Sequence, residues 1–162
     1  MKESYQLNII KLVKLKILLT ILFFTIMLPL QAQSENPIVN DDEKLYYIGM
    51  TLVQLIERMG APQASAVARG NEAWQDDVVF QYAEGDFFIH RDRVWQARFS
   101  SACGISVGDR KAAVMQTLGN TATDNGDHAL LSIHGKNWLI TLRVNFNEAE
   151  QAGSIFIYRS DF

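Results

Sequence analysis

Carboxylates and imidazoles, the side chains that most often bind metal ions, cluster in one stretch of this sequence. Four such residues lie close together there: Asp124, Asp127, His128 and His134. Their spacing fits neither a calcium-binding EF-hand loop nor a zinc motif, because both need ligands at fixed intervals. The run from Asp124 to Asp127 (Asp-Asn-Gly-Asp) is instead typical of a tight turn. The sequence therefore predicts no metal site and no cofactor.

Groups for acid–base or nucleophilic chemistry are present, but not in a recognisable arrangement. His90-Arg91-Asp92 matches the first residues of a protein-kinase catalytic loop, yet the Leu and Asn that follow in that loop are missing. A hydrolase needs a nucleophile beside a base, and a carboxylate that orients the base. We predict no catalytic residue and a non-enzymatic protein. The alternative is an exported small hydrolase or ligand-binding protein, with a site between the two halves of the chain.

Cys103 is the only cysteine in the chain, so no intramolecular disulfide can form. A reactive thiol needs a neighbouring base or cation that lowers its pKa, and the surrounding Ser-Ala-Cys-Gly contains none. We interpret Cys103 as a small, semi-buried apolar residue. It also lies far from the N-terminal segment and therefore cannot serve as a lipid-bearing N-terminal cysteine.

The N-terminal segment has the organisation of a secretory signal peptide. Four lysines (Lys2, Lys11, Lys14 and Lys16) precede an unbroken apolar run from Ile17 to Leu30, and small or polar residues follow it. The run is short for a membrane span, which needs about 20 residues. We predict that residues 1–32 are removed after Ala32 and that the protein is periplasmic or secreted. The alternative is an inner-membrane anchor formed by residues 17–30.

The charge of the remaining chain excludes one class of partner. Residues 1–32 contain four of the 15 basic and one of the 18 acidic residues, which leaves 11 Lys and Arg against 17 Asp and Glu. Nucleic acid binds to clustered Lys and Arg, because its phosphates are negative. We therefore expect no nucleic-acid partner, and membrane contact only through an uncleaved N-terminal segment.

The segment from Gly49 to Gly60 predicts a short amphipathic helix. Thr51 and Gln54 have the spacing of a capping box, which satisfies free backbone N–H groups at a helix start. One apolar face follows at helical intervals: Leu52, Leu55, Ile56 and Met59. Gly60 ends the helix, and Pro62 prevents its continuation.

The segment from Gly108 to Gly119 repeats this pattern and predicts a second helix. Asp109, or Ser106 one turn earlier, is the expected N-cap. Its buried side is expected to consist of Ala112, Val114, Met115 and Leu118. A half-domain used twice is therefore predicted.

Strand-like runs follow each predicted helix, separated by turn residues. They are Val78–Ala83, Phe87–Ile89 and Val94–Ser100 in the first half, and Ala129–Ile133, Trp138–Phe146 and Ser154–Tyr158 in the second. We predict an α+β fold of two tandem helix-plus-antiparallel-meander repeats, with the helices packed on one face of the sheet. The halves are residues 46–102 and 103–162, after a flexible linker at 33–45. Gln63 to Asp77 is expected to be irregular, with a helical turn at Ala64–Ala68.

The glycine-bounded helix resembles a known family. Gly49-Met-Thr51 and Gly60-Ala-Pro62 match the pattern of outer-membrane assembly lipoproteins of the SmpA/OmlA (BamE) type, and the tandem arrangement is similar to the β-lactamase inhibitor protein (BLIP) fold. Gly108-Asp-Arg110 and Gly119-Asn-Thr121 lack the Thr and the Pro of that pattern. The resemblance implies helices on one face of an antiparallel sheet and a non-enzymatic module that holds another protein by the opposite face or by its loops.

Alternation along two strands predicts which residues form that opposite face. If the helices cover the face of Trp95, Phe99, Trp138, Ile140 and Leu142, then the other face carries Gln96, Arg98, Thr141 and Arg143. Two arginines there can bind an acidic partner. The alternative is an ordinary solvated sheet face.

Aromatic residues near the predicted loops are the other candidate binding residues: Trp74, Phe87 and Phe88. Aromatic side chains often carry interface energy, but they can equally belong to the core. The predicted partner is another envelope or secreted protein.

Overall fold

The computed structural model describes residues 42–71, 76–135 and 137–161. The predicted signal peptide, most of the predicted linker and Trp74 lie outside these residues. Within them, no helix combines the length and apolar character that crossing a membrane requires.

One antiparallel sheet of eight strands dominates the fold, in the order β1-β2-β3-β4-β10-β9-β8-β7. Its strands are β1 (Ala64–Ala68), β2 (Asp77–Gln81), β3 (Gly85–His90), β4 (Arg93–Phe99), β7 (Thr123–Asp124), β8 (His128–His134), β9 (Leu139–Phe146) and β10 (Ala152–Arg159). Strands β5 (Ser101–Ala102) and β6 (Ile105–Ser106) form a separate hairpin. Its turn contains the predicted boundary between residues 102 and 103.

The described residues form two α-helices, α1 (Leu52–Met59) and α2 (Lys111–Leu118), and a 3₁₀ helix at Glu43–Tyr47. The capping box of α1 is present: Thr51 Oγ1 accepts from the Gln54 N–H at 3.2 Å, and Gln54 Oε1 accepts from the Thr51 N–H at 2.9 Å.

The predicted cap of α2 is wrong. Arg110 occupies the N-cap position, without a side-chain cap bond. Asp109 instead accepts from the Ser106 N–H at 2.7 Å, which closes the turn that precedes the helix. Ala112, expected on the buried side of α2, is exposed, whereas Val114 and Leu118 are buried as predicted.

The predicted α+β class, with two tandem helix-plus-meander repeats, is also wrong. The protein is mostly sheet, and each helix has only eight residues, about two turns. Strands β4 and β10 pair directly in the middle of the sheet, so the backbone hydrogen bonds run through all eight strands without a break. The strands therefore form one sheet, and a division into two repeating units does not describe it.

Two local differences contribute to this result. Ala64–Ala68, the expected helical turn, pairs with β2 residue by residue and forms β1. The 3₁₀ helix begins at Glu43, inside the predicted linker, and buries Leu45 and Tyr47. In both cases tertiary pairing or burial outweighs the local preference of the sequence.

A single apolar core lies between the helices and one face of the sheet, which we call the helix face. Leu55 of α1 and Val114 and Leu118 of α2 are buried in the same cluster as the helix-face residues of β3, β4, β9 and β10. Around Phe87 the rings of Tyr47, Tyr82 and Phe99 pack edge to face, with centroids 5.1 to 5.7 Å away. Such aromatic pairs each contribute about 0.5–1.5 kcal/mol beyond their burial.

Candidate functional site

The sheet face opposite the helices brings most of the predicted binding residues together. Directly paired residues of antiparallel strands point to the same side, so the strand register defines two rows of side chains. One row is Asp86, Arg98, Phe156 and Arg143, and the next is Phe88, Gln96, Tyr158 and Thr141. We call these eight side chains the outer face. The residues between the two rows, such as Ala97 and Ile157, are fully buried on the helix face.

Both arginines of the outer face are held by neighbouring side chains. Arg98 Nε donates to Asp86 Oδ2 at 2.9 Å, and its Nη2 donates to the same oxygen. Arg143 Nε donates to Asn145 Oδ1 at 2.7 Å. The Arg98 side chain nevertheless remains 51% exposed, while that of Asp86 is largely covered. Contacts within the sheet therefore hold both guanidinium groups in place.

Three aromatic rings lie among these polar groups: Phe88, Phe156 and Tyr158, all partly exposed. Phe156 pairs with Arg98 on one side and Arg143 on the other. Phe156 and Tyr158 are not among the binding residues predicted from the sequence. Alternation with Ile155 and Ile157 indicates their common face, but their position between the arginines depends on strand register.

The remaining predicted binding residues are Phe87, Thr141 and Trp74. Phe87 is fully buried on the helix face, so its assignment to a binding surface is wrong: β3 places adjacent residues on opposite faces, and only Phe88 points outward. Thr141 belongs to the outer face but is buried, with its hydroxyl 2.5 Å from the Ser160 hydroxyl. Trp74 lies outside the described residues.

Trp95 lies on a β-bulge, which corrects the predicted alternation of β4. The register shifts between Phe88 and Ile89, and Val94 rather than Trp95 enters the core. Trp95 Nε1 donates to Asp77 Oδ2 at 3.0 Å, and His90 Nδ1 lies 3.5 Å from Asp77 Oδ1. The nearly buried carboxylate thus orients both the indole and the imidazole at one end of the outer face.

Three of the four candidate metal ligands, Asp124, Asp127 and His128, make local contacts around the turn between β7 and β8. Asp124 Oδ1 lies 2.8 Å from Lys111 Nζ and accepts the Gly126 N–H, and the bond with Lys111 lowers the pKa of Asp124. Asp127 Oδ1 lies 2.6 Å from His128 Nδ1, and this bond lowers the pKa of Asp127. In the part of the chain that the structure describes, no three His, Cys, Asp or Glu side chains form a group that could hold a metal ion.

Neither candidate nucleophile has the setting that catalysis needs. Burial raises the pKa of Cys103 to about 12, so its thiol stays protonated at neutral pH. The second candidate, Ser106, is not among the residues predicted from the sequence, although the run from Gly104 to Gly108 has the Gly-x-Ser-x-Gly spacing of a nucleophile elbow. That elbow is a strained strand-to-helix turn, whereas Ser106 lies in β6 of a two-stranded hairpin without a positive φ.

An open depression of about 280 Å³ adjoins the outer face beside the Asp86–Arg98 pair. Its walls come from the β3 start, the β4 end and the β10 start: Ala83, Glu84, Gly85, Asp86, Arg98, Phe99, Ser100, Val107, Gly153 and Ser154. This lining includes no histidine or cysteine. It forms an open recess beside the arginine row.

Comparisons with known proteins give no family. No protein-family profile matches the chain, and no curated protein matches its sequence. One structural neighbour is an extracellular protein containing a SCP domain from Bacillus anthracis str. Ames, with 11% identity and a TM-score of 0.47, covering 75% of this chain and 47% of that one. This chain thus spans about half the length of that protein.

A second neighbour is the DUF4309 family protein YjgB from Bacillus subtilis subsp. subtilis str. 168. It has 11% identity and a TM-score of 0.46, covering 78% of this chain and 96% of that one. Both similarities are too distant to indicate a function. The function of this chain is therefore inferred from its own residues.

Proposed function

We propose that this chain is an exported, non-enzymatic protein-binding module of the cell envelope, of the envelope-assembly or inhibitor kind, and that it binds its partner with the outer face. One observation carries the proposal. Phe156 lies between Arg98 and Arg143 in one row of the sheet, and Tyr158 and Phe88 lie in the adjacent row.

The composition of this surface suits a protein partner. Aromatic residues and arginine are enriched at protein interfaces and dominate the residues whose loss weakens binding most. Small-molecule sites are usually enclosed, mostly apolar pockets, whereas this surface is a sheet face beside an open depression. Asp86 and Asn145 already hold the two guanidinium groups, so binding loses less side-chain entropy there.

The export part of the proposal depends on the N-terminal sequence. Basic residues, an apolar core and small residues after it have the order of a signal peptide. The resemblance of Gly49-Met-Thr51 and Gly60-Ala-Pro62 to the envelope-assembly lipoproteins supports the same location. The enzyme alternative gains no support from the protonated thiol of Cys103 or from the depression, whose lining lacks a histidine.

Crosslinked capture from intact cells tests the proposal. The full-length tagged chain is compared with Arg98→Ala/Phe156→Ala and with Gln116→Ala, a control at an exposed position of α2 on the other side of the sheet. We expect wild type and Gln116→Ala to capture the same envelope protein, and the double variant to lose it while keeping its circular dichroism melt.

Two results would contradict the proposal. Capture of the same protein by the double variant, at wild-type yield, would place the binding site away from the outer face. Absence of any specific partner with the wild-type chain would remove the binding function itself.

A further inference from the structure

The two edges of the sheet differ in their protection. An edge strand presents unpaired backbone N–H and C=O groups, and proteins usually protect it with charges, Pro, bulges or a very short strand. The β7 edge is only two residues long and carries Asp124. The β1 edge has five residues, Ala-Ser-Ala-Val-Ala, which pair with β2 without a bulge and contain neither charge nor Pro. No other described strand pairs with its outer side.

Exposed apolar side chains adjoin this unprotected edge. Val67 of β1 and Val78 of β2 are direct cross-strand partners, 52% and 44% exposed. Val78 also pairs with the buried Ile89, so both valines point to the helix face of the sheet. They lie at the rim of the core, where no described residue shields them fully from solvent.

Two apolar side chains of α1 are exposed as well. Val53 and Ile56 are 60% and 40% exposed, although both lie on a helix whose Leu55 is fully buried. At 3.6 residues per turn, Ile56 and Arg58 lie on opposite sides of Leu55.

The contacts of Arg58 show which way each flank faces. The Arg58 guanidinium lies 5.1 Å from the Tyr47 ring, and that ring packs against Phe87 and Phe99 near the middle of the sheet. The flank with Ile56 therefore faces the β1 edge, whereas Val53, about 160° from Leu55 around the helix axis, points away from the sheet. Helix and edge strand together form an apolar ledge, which we define as Ile56, Val67 and Val78.

We propose that β1 pairs antiparallel with β1 of a second copy of this chain, so that the two sheets become one. The sequence of β1 is almost symmetric about Ala66: a two-fold axis there places Ala64 opposite Ala68 and Ser65 opposite Val67. None of these pairs brings charges or bulky side chains together. This register allows backbone hydrogen bonds in either of the two possible arrangements. If Ala66 directs its N–H and C=O groups outward, it bonds to Ala66 of the second copy. If Ser65 and Val67 direct theirs outward instead, Ser65 of one copy bonds to Val67 of the other.

The same axis explains the apolar ledge. A two-fold axis perpendicular to the sheet keeps the helix faces of both copies on one side. The ledges of the two copies then flank the new β1–β1 junction, and water leaves both of them. Strand pairing supplies the directional hydrogen bonds, and the ledges supply the apolar burial that a stable association needs.

Sedimentation equilibrium of the purified chain tests this proposal directly. We expect the wild-type chain to show a dimer that dissociates on dilution. Val67→Lys should raise the dissociation constant about tenfold or more, because it places a charge at the paired edge. Val107→Lys is the matched control, since Val107 is similarly exposed (45%) but lies after β6, away from β1; it should dimerise like wild type.

Chemical crosslinking provides a second measurement that does not depend on the charge. Ala66→Cys with a short bis-maleimide reagent should give a covalent dimer, and Val107→Cys should not. The native Cys103 is fully buried and should not react. A wild-type chain that stays monomeric at all concentrations, or an Ala66→Cys variant that does not crosslink, would overturn the proposal. If wild type is monomeric but Val67→Lys loses a captured envelope protein, then a different protein uses this edge.

Discussion

Gly49 lies directly against the indole of Trp138: a Cβ atom on Gly49 would come within 2.1 Å of Trp138 Nε1. The Trp138 ring also contacts Arg159, whose guanidinium carbon lies 3.6 Å from the ring centroid. The segment before α1 is thus joined through Trp138 to the end of β10. Only a residue without a side chain permits this close approach.

Gly49→Ala should therefore destabilise the protein by about 2–4 kcal/mol, since it adds a steric clash to the cost of a positive φ. Gly126→Ala is the matched control: its φ of +91° is close to the +89° of Gly49, but a Cβ there meets nothing within 4 Å. That variant should lose only about 1–2 kcal/mol. Urea unfolding measures both, and equal losses would mean that Trp138 moves aside freely.

Tyr82→Phe tests the attachment of α1 to the sheet. The Tyr82 hydroxyl donates to the Gly60 carbonyl at the end of α1 at 3.1 Å, while its ring packs on Phe87. Removal of the hydroxyl alone should cost about 0.5–1.5 kcal/mol of unfolding free energy. The exposed Tyr46→Phe serves as control and should be nearly neutral. An unchanged stability in Tyr82→Phe would show that water replaces this bond without loss.

Asp77→Ala tests the bulge in β4. The variant removes the acceptor of the Trp95 indole N–H and the carboxylate beside His90. We expect a loss of about 1–3 kcal/mol, because Asp77 is nearly buried. Tryptophan fluorescence should change as well, and Asp127→Ala, at an exposed turn, should leave it unaltered. A wild-type emission spectrum in Asp77→Ala would mean that the carboxylate does not position the indole.

Cys103 should make stability depend on pH in the alkaline range. Burial raises its pKa to about 12 in the folded protein, whereas an exposed thiol titrates near pH 8.5. The pKa of Cys103 is higher in the folded protein, so the unfolded chain loses the thiol proton first as the pH rises. The stability that the buried thiol contributes is therefore complete below about pH 8.5 and is lost as pH rises toward 12.

Between pH 8 and pH 10 this difference should cost the wild-type protein about 2 kcal/mol. Cys103→Ala lacks the thiol. Between pH 8 and pH 10 its free energy of unfolding should therefore fall by about 2 kcal/mol less than that of the wild type. Guanidinium unfolding at several pH values measures the slope. Parallel curves for the two proteins would show that the thiol is accessible to water in the folded state.

Local signals in the sequence predicted α1 well. The capping box joins Thr51 and Gln54 across one turn, so no distant partner is needed. Of the predicted apolar face, Leu55 is fully buried, whereas Ile56 is 40% exposed. The same locality explains why β1 was missed. Its alanines favour a helix in isolation, and only pairing with β2, across a connection, makes them a strand.

Alternation predicts which face of the sheet a side chain occupies only where the strand contains no bulge. Alternation placed Gln96, Arg98, Thr141 and Arg143 on one face, and the register confirms that they share it; their role in binding stays a prediction. Alternation failed at Trp95, because Trp95 is the extra residue of a bulge: its neighbours Val94 and Gln96 pair with the adjacent residues Ile89 and Phe88. The row of Phe156 between two arginines depends on the β4–β10 pairing, which joins parts of the chain too distant for local patterns to connect.

The position of β10 also has a consequence for the order of synthesis. It is the last described strand in chain order, yet it lies in the middle of the sheet, between β4 and β9. During translation one edge of β4 therefore stays unpaired until nearly all the described chain has emerged. Such pairing between distant parts of a chain makes folding slow. The sheet can therefore be completed only after β10 has emerged, and until then β4 and β9 each keep one edge without a partner.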